Sequence, residues 1–175
     1  MKNRPIKTEV PENSRIAANL AGAYFFDSWS VTSDAQDLSA LEYFISVARK
    51  TPGWVDMCMT VRNHLGRFAG LKDLGTFSAV SASKAAKEYK SGDRVGIFTV
   101  FENTFDEALI GDKDKHLDVV LSIHCKALSD KKRLAITITT VVHVKNLLGR
   151  IYMLPVKPMH RFIAPAMLST IGSVS

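Results

Sequence analysis

Between residues 94 and 144 the apolar side chains recur at every second position, and that period decides most of what this chain can become. Leu117, Val119, Leu121, Ile123 and Cys125 alternate with Asp118, Val120, Ser122, His124 and Lys126. After LSDKK, which reads as a turn, Leu134, Ile136, Ile138, Val142 and Val144 line one face of a second long strand, opposite Arg133, Thr137, Thr139 and His143. Upstream, residues 95–102 and 105–111 read as shorter strands separated by Asn103-Thr104, with GDKDKH as the turn before Leu117. Such alternation describes an antiparallel meander with one apolar face, and that face must be covered.

The cover has to come from the flanking segments, where the period is 3.6. AYFFDSWSV, residues 23–31, is aromatic and β-branched and reads as a first strand. Ser33, Asp34 and Asp37 then offer capping groups for a helix whose face carries Leu38, Leu41, Phe44, Ile45 and Ala48. That helix should stop before Thr51-Pro52, since proline disfavours α geometry in the residue preceding it. Thr51 as N-cap and Pro52 as first helical residue open a second helix, with Val55, Cys58, Met59, Leu65, Phe68 and Ala69 at helical spacing and Gly70 closing it. SASKAAKEYK, within the mixed segment 72–92, reads as a short exposed helix. Strand, two helices, a run of strands and a final helix make an α+β architecture rather than a βαβ one.

The final segment is unlike the rest. Residues 131–175 hold seven Lys/Arg and no Asp or Glu, so the excess positive charge of the whole chain lies there. Within it, GRIYMLPVKPMHRFIAPAML is apolar and carries Pro155, Pro158 and Pro165, so a helix built from it is expected to bend and leave space over the sheet. With 175 residues and 46% hydrophobic composition the chain suits a single domain, residues 15–172, preceded by a polar arm, residues 1–14. That arm lacks a signal peptide's apolar core, and no apolar run reaches membrane-spanning length, so a cytoplasmic location is expected. The two cysteines form neither a disulfide framework nor a zinc site.

The motifs TPGWV with VRNHLGRFAGLK, GDRVGIF, FDEALIGDKDKHLDV and LGRIYMLPVKPMHRFIAPAML run from about Thr51 to Leu168. In their order the chain resembles the helix-grip fold of the START and birch-pollen-allergen-like superfamily, a curved antiparallel sheet wrapped around a C-terminal helix with two further helices after the first strand. More narrowly it resembles a bacterial family within it, domain of unknown function 2867. The resemblance implies a cavity between sheet and helix that takes hydrophobic or amphipathic molecules, and carries no catalytic residues with it.

The expected lining is Leu121, Ile138 and Val142 from the sheet and Tyr152, Met153, Phe162 and Met167 from the last helix. Arg161 or its neighbour His160 meets either an anionic head group or a carboxylate on the sheet. Glu107 and His116, on either side of a hairpin, are a candidate base and orienting partner. If Leu109 lies opposite Leu117, Glu107 points inward; a one-residue slip turns it out. The structural alternative, with His116 satisfying turn backbone and Glu107 facing water, is preferred. Trp29 and Trp54 read as core, and His124 and His143 as exposed. Arg62-Asn63 reads as a structural polar pair.

No phosphate loop, HExxH, GxSxG or metal-spaced His/Asp/Glu set occurs, so no metal and no cofactor is expected. The leading expectation is a binding protein for a small hydrophobic or amphipathic ligand. Behind it stand a cofactor-independent cyclase-, dehydratase- or isomerase-like enzyme on the same scaffold, and weak contact with anionic membranes through the basic C-terminal segment. The absence of basic–aromatic alternation argues against nucleic acid.

Overall fold

The alternation seen in the sequence becomes one antiparallel sheet with strand order β1-β2-β7-β6-β5-β4-β3. The strands are β1 (Ile6–Thr8), β2 (Phe25–Asp34), β3 (Arg94–Val95), β4 (Phe98–Asn103), β5 (Glu107–Lys113), β6 (Leu117–Ala127) and β7 (Arg133–Val144). Among the described residues three α-helices accompany them: α1 (Ala40–Arg49), α2 (Gly53–Phe68) and α3 (Leu147–Leu168). This is a computed structural model describing residues 4–34, 37–68, 70, 73, 75–80, 84–129 and 132–171. Ala69, residues 81–83 of the expected exposed helix and residues 130–131 of the LSDKK turn lie outside the described residues, as do the side chains of Leu65 and Phe68.

Several boundaries differ from the sequence expectation for identifiable local reasons. β2 runs on through Ser33 and Asp34, so neither caps α1. Ser39 does: its hydroxyl accepts the Glu42 N–H, while the Glu42 carboxylate accepts the Ser39 N–H at 2.7 Å, a reciprocal capping box. α1 ends before Thr51-Pro52 as expected, but the Thr51 hydroxyl donates to the Ala48 carbonyl at 2.6 Å, closing α1 instead of opening α2. The single strand expected over 95–102 is two, β3 and β4, joined by a tight turn at Gly96-Ile97. Gly96 has φ +59°, in the left-handed region that glycine enters at little cost, which permits so short a hairpin. Of SASKAAKEYK, the described part contains only the 3-10 turn Ala86–Glu88.

The register between β6 and β7 sorts side chains onto two faces. The inner face carries rows such as Asp27–Thr140–Leu121–Ile110 and Trp29–Ile138–Ile123–Ala108 across β2, β7, β6 and β5. α1 lies over β5 and β6 and α3 over β2 and β7. Leu41, Phe44, Val47, Ala48, Val55, Met167 and Leu168 join Ile110, Ile123 and Ile136 in the main core.

The outer face, expected in solvent, is covered too. The segment read as a polar arm is built into the fold: Ile6–Thr8 pairs with β2, and the 3-10 turn Arg15–Asn19 lays Ile16 against Leu109, Val120 and Val141. Beside this patch Glu107, only 5% exposed, accepts hydrogen bonds from the Ser14 hydroxyl (2.5 Å), the Ser122 hydroxyl (2.6 Å) and the Arg15 N–H (2.9 Å). Burial by itself would raise this carboxyl. The Arg15, Ser122 and Ser14 donors, with His124 alongside, outweigh it and hold Glu107 below its ordinary value. His124 is buried on this face, and His143 is half-buried with its Nε2 2.8 Å from the Asn19 carbonyl, so neither is exposed as the alternation suggested.

Two predictions come from these contacts. Gly149 sits in the first turn of α3, where an added Cβ would lie 2.5 Å from the His116 carbonyl oxygen. Gly149→Ala should therefore destabilise by about 1–3 kcal/mol despite alanine's better helix propensity; an unchanged or raised melting temperature would refute this close docking. For Glu107, a depressed folded-state pKa means the unfolded chain binds more protons in mild acid. Its stabilisation is thus present above the ordinary carboxyl value of 4.5 and is lost as pH falls from there through the lower folded value. Glu107→Gln should cost about 2 kcal/mol at neutral pH and flatten the acid limb of stability, read by denaturant midpoints across pH.

Candidate functional site

The inner face is not sealed as the outer face is. On the outer rows Ser122, Thr139 and Val141 are fully buried beneath a short 3-10 segment. On the inner rows Val119, Leu121, Ile138 and Trp29 stay half-buried although helices lie on that side. The helical cover therefore does not meet the sheet flush between α1 and α3. Accessible apolar surface in the middle of a sheet face is where a small molecule can exchange for water.

A polar cluster borders this surface. Asp27 on β2 and Thr140 on β7 are direct cross-strand partners, and α3 lowers His160 onto both. His160 Nδ1 lies 3.0 Å from Asp27 Oδ2, and its Nε2 lies 3.3 Å from the Thr140 hydroxyl. The Trp29 indole N–H donates to the same Asp27 Oδ2 at 3.1 Å. The Phe25 ring meets the imidazole edge-on at 5.6 Å, and Lys157 lies 4.0 Å from the Tyr24 ring centroid. Asp27 is 6% exposed, and its other oxygen, Oδ1, has no hydrogen-bond partner among the described residues. With the proton on Nδ1, Asp27 fixes the imidazole and leaves Nε2 as an acceptor. The cluster can thus hold a donor group at Asp27, or move a proton through His160.

The expected lining residues divide. Leu121 and Ile138 present accessible surface on the inner face, and Val142, Met153 and Met167 are buried. Tyr152 is half-buried; its hydroxyl accepts from Arg62 Nε at 3.0 Å, and the guanidinium lies over its ring, tying α2 to α3. Arg62 also donates to Asn63 at 2.8 Å, in keeping with a structural pair. Arg161 and Phe162 are exposed on the solvent side of α3 and do not join the accessible surface of the inner face. Phe162 stands about half a turn around the helix from the inward-facing His160 and Met153. Trp54, expected in the core, is 40% exposed.

Glu107 and His116 are not brought together. The β5–β6 register pairs Glu107 with His124, at the end of β5 remote from the turn that contains His116. Glu107 points to the outer face, whereas His116 Nδ1 engages Asn146, the N-cap of α3. The polar pair that does form, Asp27 with His160, joins residues 133 positions apart, and no local motif announced it. The signal was an acid in the first strand on the same parity as Phe25, Trp29 and Val31.

Two surface hollows lie elsewhere. One of about 420 Å³ is bordered by Glu42, Ser46 and Arg49 of α1 with Lys84, and one of about 190 Å³ by Val144, Leu147 and Arg150. Neither includes an expected lining residue. Among the described residues no group of His, Cys, Asp and Glu is arranged to hold a metal ion, and no helix is long and apolar enough to cross a membrane. Cys125 is buried on the inner face, and burial, aided by Asp106, pushes its thiol up to about 12, so it is un-ionised at neutral pH.

No curated protein matches the chain. A family described as Protein of unknown function (DUF2867) matches residues 19–167, a span containing Asp27, Thr140, His160 and every strand from β2 to β7. With most of its length matched, the chain belongs to that family.

Proposed function

We propose that the chain binds a small amphipathic molecule in the cleft between α3 and the inner face of the sheet. The observation that carries this reading is the Asp27 carboxylate, buried beside apolar side chains with one oxygen engaged and the other unpartnered among the described residues. Leaving such an oxygen without a donor costs about 1–3 kcal/mol, and a ligand hydroxyl or amine would remove that cost. Leu121, Ile138 and Trp29 supply an apolar wall beside it. The preferred ligand class is therefore a compact apolar body bearing an O–H or N–H donor. The strand order from β2 through β7 to β3, with α1 and α2 between β2 and β3 and α3 after β7, supports the helix-grip reading and its usual hydrophobic or amphipathic guests.

The neutral fluorophore N-phenyl-1-naphthylamine, an apolar body with one N–H, is a suitable probe. Ile138→Trp should fill the cleft and weaken uptake about tenfold, equivalent to about 1.4 kcal/mol. Phe162→Ala, on the solvent side of α3, should leave uptake unchanged. If Ile138→Trp folds with a normal melting temperature and takes up the probe as the unaltered protein does, the cleft is not the site.

The same Asp27–His160 pair favours one second reading, a cofactor-independent cyclase, dehydratase or isomerase in which His160, oriented by Asp27, transfers the proton. Small molecules extracted from host-purified protein and from its His160→Gln variant distinguish the two. Species differing by isomerisation or by one water would support catalysis; identical species would leave binding alone.

A further inference from the structure

α3 is apolar on both sides. Its inward side buries Gly149, Met153, Met167 and Leu168, as a cover helix should. Its opposite side exposes Leu147, Ile151, Leu154 and Phe162, with 71%, 53%, 67% and 66% of their surfaces in solvent. At 3.6 residues per turn these four fall within a narrow stripe, and the exposed prolines 155 and 158 lie on or beside it. The stripe runs roughly 22 Å along the helix at 1.5 Å per residue. Helices apolar all round are normally buried, so this side lacks a partner.

The charges beside the stripe indicate what covers it. Arg150 and Arg161 are exposed, stand about three turns apart on the same flank, and join no salt bridge among the described residues. α3 contains no Asp or Glu, and residues 131–175 contain none at all. A second copy docking symmetrically through this stripe would set these cations against their own counterparts with no carboxylate on the helix to pair them. A flat anionic surface meets both features: it accepts a linear apolar stripe and neutralises its basic flank. The prolines limit the depth. Pro155, Pro158 and Pro165 lack N–H groups, so the carbonyls of Ile151, Leu154 and Arg161 lose their helical donors on residues that face solvent. Such carbonyls are satisfied among hydrated head groups and not in hydrocarbon.

We infer that the solvent side of α3 is a shallow docking surface for anionic lipid bilayers, with Leu147, Ile151, Leu154 and Phe162 entering the head-group boundary and Arg150 and Arg161 meeting lipid phosphates. The surface is independent of the inner-face cleft, so each can fail without the other.

Vesicle co-flotation of the full chain tests this. The protein should float with equimolar phosphatidylcholine–phosphatidylglycerol vesicles and not with phosphatidylcholine alone, and 1 M salt, where the Debye length is about 3 Å, should release most of it. Leu154→Ser with Phe162→Ser, which leaves the charge unchanged, should reduce flotation about tenfold while the melting temperature stays put. Arg150→Glu with Arg161→Glu should abolish the preference for the anionic vesicles. Protein remaining in the aqueous fraction, equal flotation on both vesicle types, or flotation unaffected by the paired serine variants would each overturn the proposal. So would a dimer by light scattering that those variants convert to monomer.

Discussion

The pairing of β6 with β7 aligns eleven residue pairs, from Leu117 opposite Val144 to Ala127 opposite Leu134. Because side chains alternate, that one alignment sends Leu121 and Thr140 to the helix side and Ser122 and Thr139 to the other. β2 then extends both rows, with Asp27 on one and Ser28 on the other. A slip of β6 by a single residue would turn Ser122 and His124 to the helix side and take the Ser122 hydroxyl away from Glu107. The half-buried inner rows and the sealed outer face are thus two outcomes of the same hydrogen-bond ladder.

Much of this was readable from residues. The apolar rows of β6 and β7, the termination of α1 ahead of Thr51-Pro52 and the α+β order all follow from local period and proline geometry. What was not readable depends on contacts distant in sequence. The alternation of His124 with apolar neighbours placed it off the inner face, and for Glu107 the outward of two registers was preferred, but alternation says nothing about what covers the outer face. That cover comes from about a hundred positions earlier, from Ser14 at the end of the segment whose polarity suggested an arm and from Ile16 just after it. His160 meeting a sheet carboxylate was one of two alternatives open in the sequence; which acid it met required the β2–β7 register. Phe162 was expected in the lining because it is an apolar residue of the last segment and Arg161 because a guanidinium suits an anionic group, and composition alone cannot say which side of such a helix faces inward.

α3 therefore answers to two environments. Met153 and His160 face a wall whose partners are fixed by strand register, while Leu154 and Phe162 face outward into solvent. Asn146 secures its start, its side chain accepting the Gly149 N–H at 3.1 Å and contacting His116 on the β5–β6 turn. Gly149 lets that turn approach closely. The prolines are tolerable on such a helix because the carbonyls they orphan lie on its outer side, where water donates to them.

The thiol of Cys125 adds a measurable property to this arrangement. It sits on the inner face between Ile136 of β7 and the edge of β5, shut from solvent, with a proton it gives up only near pH 12. In the closed molecule burial keeps this thiol protonated at pH 7 and shields it from alkylating reagents. Its modification rate would therefore count the rare moments when helices lift from the sheet, giving the chain an internal clock for the breathing of its own core.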